Sequence, residues 1–405
     1  MSVEITEQIL EMQNYSIKNV SITAEHVVFE CEKKEPIYCC PHCKQQTFSC
    51  YDSMRRLIED MPMSGKRVFL DLPIFRLYCS TCKKVLTEYL TFLQPYQRYT
   101  NRFIHFIHHL CAISTVKEVS EMTGLHWNSV QRIDQQYLET HLNHSKWEDI
   151  KTLCIDEVSY KKHHHYLTII SDCETGQIIE IIEGRSYQNV AKVLKKIKRK
   201  ARLKIKWVSV DLWKPYLKII HQYFPNAQIV LDKFHLIGQL NKAIDTIRKD
   251  EQMTQEGEGR RILKNSRWLF LYGQENLNES QSQRLNTITN LNQNLYQAYL
   301  LKEEFRSIMN ELRESEGRTA IIQWIETVMA TNLEPLKKFA RLIKRHLQKL
   351  LNYFVHPIAS GLAEGLNNLI ATVKKKAYGY RNMKYFKLKI LQQNQKQLLL
   401  THTNL

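Results

Sequence analysis

The sequence predicts a multidomain α/β protein, and three features carry that expectation. Two Cys-x-x-Cys knuckles bracket a strand-rich stretch. A two-helix pattern breaks at a glycine. Five strand-like runs then interleave with helices around a long all-helical region. At 405 residues, with apolar content enough for a sizeable core, the chain has room for roughly two to four domains.

Composition narrows the partners. Lys and Arg number 58 against 41 Asp and Glu, a net charge of +17 that favours a polyanion. No apolar run approaches the roughly 18–20 residues that span a bilayer, so no membrane partner is expected. The opening MSVEITEQILEMQ carries acids and lacks a basic-then-apolar signal pattern, which predicts an unprocessed, cytoplasmic chain.

Ten cysteines are present, and seven fall between Cys31 and Cys82, a clustering that suggests metal rather than disulfides. CPHC spaces Cys40 and Cys43 two residues apart, and CSTC does the same for Cys79 and Cys82. Between them MSGKRVFLDLPIFRLYC alternates in strand fashion after a Ser64-Gly65 turn, with Val68, Leu70, Leu72, Ile74 and Tyr78 on one face. Two such knuckles at the ends of a strand-rich insert predict a tetrahedral four-cysteine Zn2+ site. Its ribbon-like module is expected at 36–95, after an N-terminal segment 1–35. Cys31, Cys39 and Cys50 lie near enough to compete, although Cys39 is handicapped by adjoining Cys40.

Residues 96–148 read as a helix-turn-helix domain. TVKEVSEMTGLHWNSVQRIDQQYL holds a short helix, a turn at Thr123-Gly124 and a longer helix from about Trp127. Val116, Val119 and Met122 are expected to pack the first helix, and Val130 and Ile133 the second. That leaves Asn128, Ser129, Gln131 and Arg132 for DNA.

From 149 the texture changes. TLCIDEVSY, HHYLTIISD and GQIIEIIEG read as three strands, and SYQNVAKVLKKIKRKARLK as one basic helix. IKWVSVDLW follows as a fourth strand, KPYLKIIHQYF as a helix and AQIVLDKFHL as a fifth strand. This order is that of an RNase H-like fold, expected over 149–235 plus 356–395 and split by a helical insertion at 236–355.

In that order the first strand, the end of the fourth and the late helix converge, and each carries an acid. Asp156 interrupts the apolar run LCIDEV, where a carboxylate is costly unless paired or metal-bound. Asp211 ends WVSVDL, and Glu364 stands on the helix of GLAEGLNNLIATVKKK, opposite the stripe Leu362, Leu366, Leu369 and Val373. Three convergent carboxylates repel one another without cations, and oxygen ligands suit Mg2+ or Mn2+, two per site, for phosphodiester chemistry. Glu157 is an alternative to Asp156, turned to the other face by strand alternation, and Asp232 is the rival to Asp211. His163, His164 and His165 read as a surface turn, and His235 as a core histidine or a partner of the acids.

Nine Lys or Arg without an acid occupy 192–206, among them Lys195, Lys198 and Arg199, a run suited to phosphate contacts. Lys374, Lys375, Lys376, Arg381 and Lys384 are expected along the approach to Glu364. Tyr378 and Tyr380 either stack on bases or pack, and Trp268 and Trp324 are expected in the core.

These motifs together resemble transposases of the insertion-sequence L-three family, a bacterial group with an Asp-Asp-Glu triad, along nearly the whole chain. CPHC…CSTC is similar to the family's zinc segment and VSEMTGLHWNSVQRI to its helix-turn-helix. CIDEVSY resembles the segment of the first aspartate, SVDLWKPY that of the second, and EGLNNLIATVKKKAYGYRN the glutamate signature. DKFHL resembles an Asp-x-Phe-His landmark after the second aspartate, which speaks against Asp232 as the catalytic residue. Ala359-Ser360-Gly361 departs from the Ser-Asn-Gly often found before the glutamate, and the triple histidine is unusual. The resemblance implies cleavage at the element's ends by metal-activated water, followed by attack of the freed 3′-OH on target DNA. It also implies that terminal inverted repeats are recognised by the N-terminal modules and that a homodimer or higher oligomer pairs the ends. Two rival readings share these residues: a non-catalytic zinc and helix-turn-helix regulator on an RNase H-like scaffold, and a nuclease that cuts without joining.

Overall fold

The computed structural model describes residues 10–403 apart from 11, 13, 36, 48, 95, 144–146, 162–164, 312–313 and 359. His163 and His164 therefore lie outside the described residues. The chain divides into two compact units, Met1–Leu142 with Lys375–Gln392, and Asn143–Lys374 with Gln393–Leu405.

The first unit opens with strands β1 (Tyr15–Ile22), β2 (His26–Lys33), β3 (Tyr38–Cys39), β4 (Gln46–Thr47), β5 (Cys50–Met63), β6 (Lys66–Cys79) and β7 (Lys84–Thr87). β1, β2, β6 and β5 pair in that order, with β7 on the far part of β6, and β3 and β4 form a small hairpin. Val68, Leu70, Leu72 and Ile74 of β6 are buried as the alternation predicts, but Tyr78 is 46% exposed. Beyond Ile74 the strand leaves one core for another, and Leu77 and Cys79 pack with Tyr38 and Cys40. The buried face changes phase there because a second core recruits it.

Helices α1 (Asn101–Ile113), α2 (Val116–Thr123) and α3 (Trp127–His141) follow. Thr100 caps α1, and Thr115 and Glu118 form a reciprocal capping box on α2. Gly124 ends α2 at φ +68°, a left-handed turn that costs a β-carbon-free residue little. Val119, Val130 and Ile133 are buried as expected, whereas Met122 is 63% exposed and Thr123 takes the buried place. Thr123 does so by returning its hydroxyl to the Val119 carbonyl.

The second unit carries β8 (Thr152–Lys161), β9 (His165–Asp172), β10 (Ile178–Glu183), α4 (Tyr187–Leu194), α5 (Arg199–Arg202), β11 (Trp207–Val210), α6 (Lys214–Tyr223) and β12 (Gln228–Leu231). Their order in the sheet is β10-β9-β8-β11-β12, two antiparallel hairpin steps followed by two parallel ones. This is the RNase H-like arrangement. The basic stretch is two helices rather than one, interrupted at 195–198. Crowded like charges three and four apart disfavour a continuous helix there, and Ile197 within the break and Ala201 and Ile205 beyond it still reach inward. Cys154 of β8 and Cys173, the residue after β9, are joined as a disulfide that the sequence reading did not anticipate.

The insertion is helical as expected: α7 (Lys233–Thr254), α8 (Gly257–Leu263), α9 (Arg267–Leu271), α10 (Glu279–Leu291), α11 (Gln293–Glu311), α12 (Glu314–Ala330), α13 (Glu334–Arg345) and α14 (Leu347–Val355). It shares one continuous core with the sheet, from Leu153 and Val208 through Leu240 to Trp324 and Leu350. Trp268 is instead 55% exposed and stacks on Tyr272, so the expected core placement holds for Trp324 alone. α15 (Ser360–Lys376) and α16 (Met383–Thr403) close the chain. No described helix is long and apolar enough to cross a membrane.

Candidate active site and metal centre

The sulfur atoms of Cys40, Cys43, Cys79 and Cys82 converge within 4.8 Å of one another. Cys40 and Cys82 stand 3.8 Å apart, and Cys43 and Cys79 3.5 Å. The edge of a tetrahedron with Zn–S bonds of ~2.3 Å is about 3.8 Å, so the quartet fits structural zinc. The Cys82 N–H donates to Cys79 Sγ at 3.4 Å, the knuckle hydrogen bond, and holds that thiol down at about 7. The competing cysteines are excluded by position: Cys31 is buried in the neighbouring sheet core, and Cys39 and Cys50 are not of the convergent group.

The acids gather at the C-terminal edge of the parallel strands. Val210 pairs with Ile155 on one side and Leu231 on the other, so Asp156 within β8 and Asp211 and Asp232, the residues that follow β11 and β12, come next at one level. Asp156 is held by partners: Asn367 Nδ2 donates at 3.0 Å, the Glu157 N–H at 2.7 Å, and His235 Nε2 stands at 3.5 Å. Burial works against ionising this carboxyl, but His235, Asn367 and the Glu157 N–H outweigh it and leave it below its ordinary range. His235 is raised to about 8, first by Asp156, despite its burial. It is therefore a partner of the acids, not a core histidine.

Asp211 and Asp232 behave oppositely. Burial pushes both upward, and Asp156 adds to each by repulsion. Asp211 accepts the Trp213 N–H at 3.0 Å, while Asp232 caps α7 by accepting the Phe234 N–H at 2.7 Å. Glu157 turns to the other face as alternation requires, where Arg185 donates to Oε1 at 2.7 Å. Its Oε2 is buried without a hydrogen-bond partner. Glu364 is exposed on α15, one turn before Asn367 on the same helix face. Among the described residues Asp156, Asp211 and Glu364 do not close to mutual ligand distance as the cysteines do.

The basic residues are distributed less simply than the runs suggest. Lys195 and Arg199 are exposed, but Lys198 lies 3.7 Å from Glu148, so the run is not wholly unopposed. Lys384 pairs with Glu139 at 2.8 Å within the first unit. Lys375 and Arg381 are exposed in that same unit. Tyr380 packs on Phe386, and Tyr378 is 98% exposed. On α3, Asn128 and Arg132 are exposed and Ser129 and Gln131 half-buried. Sequence reasoning missed Asn367, although it stands three residues after Glu364 inside the quoted signature.

Three family profiles match the chain over ranges that contain these residues. A transposase profile covers residues 153–390, the helix-turn-helix domain of transposase family ISL3 covers 88–138, and the zinc finger of the IS204/IS1001/IS1096/IS1165 transposases covers 38–82. The transposase for insertion sequence element IS1001 of Bordetella parapertussis is 32% identical over 87% of both chains. The transposase for IS1557 of Mycobacterium tuberculosis is 25% identical over 78% of this chain and 76% of its own.

Proposed function

Because the chain belongs to the ISL3 family of transposases, we propose that it cuts and joins DNA at the ends of its own insertion sequence through Asp156, Asp211 and Glu364. The observation that carries this reading is the level placement of Asp156 in β8 and Asp211 at the end of the adjacent β11, with Asn367 reaching Asp156 from the helix that bears Glu364.

The donor set supports divalent cations. It is all oxygen, and burial together with repulsion from Asp156 pushes Asp211 upward, a cost that a cation would relieve. Mg2+ or Mn2+ held by Asp156, Asp211 and Glu364 would supply Lewis-acid polarisation of a phosphate and a more acidic water. Asn367 and His235 orient Asp156, and Asp211 and Glu364 would complete the ligand set. The zinc module and α3, with Asn128, Ser129, Gln131 and Arg132, support recognition of the terminal inverted repeats. Lys195, Lys198, Arg199, Lys375 and Arg381 serve as backbone contacts. Pairing two ends requires at least a homodimer on DNA.

The test is strand cleavage on a duplex carrying the element's terminal repeat and flanking DNA, with Mg2+, for wild type and Glu364→Ala. Nicking at the repeat boundary by the wild type and its loss in the variant support the triad, and joined products establish strand transfer. Equal binding with no cleavage by either protein would favour the regulator. Cleavage without joining would favour a nuclease.

A further inference from the structure

We infer that a basic groove between α7 and α13 holds the DNA backbone next to the reacting phosphate, an inference that rests on the transposase reading above. The groove has a volume of about 520 Å³. Lys242 of α7 and Lys338, Arg341 and Arg345 of α13 line it over a floor that includes Phe339.

Charge and direction both point to a phosphodiester strand. α13 carries five Lys or Arg and a single acid, Glu334, which pairs with Arg341 at 2.9 Å. Lys242, Lys338 and Arg345 make no ion pair among the described residues, and all three are exposed. A solvated charged face needs no concavity, whereas here the cations of two helices face one groove. One helix, α7, joins the groove to the acidic edge. Asp232 caps α7, and His235, Gln239 and Lys242 fall at i, i+4 and i+7 on one face of it. His235 touches Asp156, and Lys242 lies about 10 Å further along the helix at ~1.5 Å per residue. That reach is about three nucleotides of one strand at ~3.4 Å each. A strand whose scissile phosphate sits at Asp156 is thus led into the groove by one helix.

The experiment measures binding of a short fluorescein-labelled duplex to the full chain by anisotropy across a salt series. Lys338→Ala with Arg345→Ala should flatten the slope of log affinity against log salt by about 1.8, two phosphate contacts at roughly 0.9 each. Lys338→Arg with Arg345→Lys keeps both charges and should retain the wild-type slope, which a general folding defect would not reproduce. Wild-type cleavage of the repeat-bearing duplex is followed in parallel. If the wild type cuts but the alanine variant keeps the wild-type slope, this inference alone falls. If the wild type binds its repeat and never cuts, the transposase reading falls and the groove's role falls with it.

Discussion

Asn367 Nδ2 donates to Asp156 Oδ2 at 3.0 Å, joining residues 211 positions apart and tying the face of α15 that carries Glu364 to the first strand of the sheet. The contact orients a carboxylate whose other oxygen faces His235. It fixes which helix face looks toward the acids, and several expected outcomes turn on that.

Asn367→Ala removes a hydrogen bond to a charged group, an interaction of about 1.5–3 kcal/mol. Cleavage should slow roughly 10-fold to 100-fold, at about 1.4 kcal/mol per tenfold, and half-activation should need more Mg2+. A Mg2+ titration of strand cleavage measures both. Wild-type rate with a wild-type Mg2+ midpoint would remove Asn367 from the site.

Asp211 and Asp232 are separated by paired substitutions. Asp211→Asn should abolish cleavage, a loss on the order of a thousandfold or more for a metal-bound carboxylate. Asp232→Asn keeps an oxygen that can cap α7 and should cost less than about tenfold. Single-turnover cleavage decides, and a reversed order would exchange their roles.

Cys43→Ser and Cys79→Ser should each release zinc, taking bound metal from one ion per chain to none by elemental analysis. The first unit should then melt earlier, because structural zinc contributes on the order of 10 kcal/mol or more to folding. Cys50→Ser, outside the quartet, should keep the metal. Retained zinc in Cys79→Ser would redraw the ligand set.

Asp134 sets a pH dependence in the first unit. It is fully buried and accepts from His108 at 2.7 Å, Tyr385 at 2.5 Å and Lys389 at 3.2 Å. Burial alone would raise its carboxyl, but His108, the Lys389 charge and Tyr385 hold it below the ordinary range. A depressed carboxyl contributes fully above its unfolded value near 3.9 and loses that contribution as pH falls through the lower folded value. Asp134→Ala should cost about 3–5 kcal/mol at pH 7 by leaving Lys389 buried without its partner. Urea unfolding across pH should show the gap between wild type and variant closing below about pH 4. A gap constant down to pH 2 would contradict the assignment.

Much of the molecule was legible locally. The knuckle spacing identified the cysteine quartet, Gly124 marked the turn between α2 and α3, and strand-like runs announced β8 to β12 in order. Other placements depended on which partner a residue found, distant for Tyr78 and His235 and only four residues away for Thr123 and Trp268. Tyr78 lost its buried face to a second core, Met122 yielded to Thr123, Trp268 found a neighbour on the surface, and His235 proved to face Asp156.

By itself the sequence determined which elements form and which residues carry ligand chemistry, because helical and strand periods and ligand spacings are properties of neighbouring residues. The tertiary structure decided the rest: the parallel register that levels Asp156, Asp211 and Asp232, the reach of Asn367 across 211 positions, and the facing of α7 and α13 around a basic groove. Those relations come from packing between distant segments, where burial selects one register and one helix face from many that the local pattern allows.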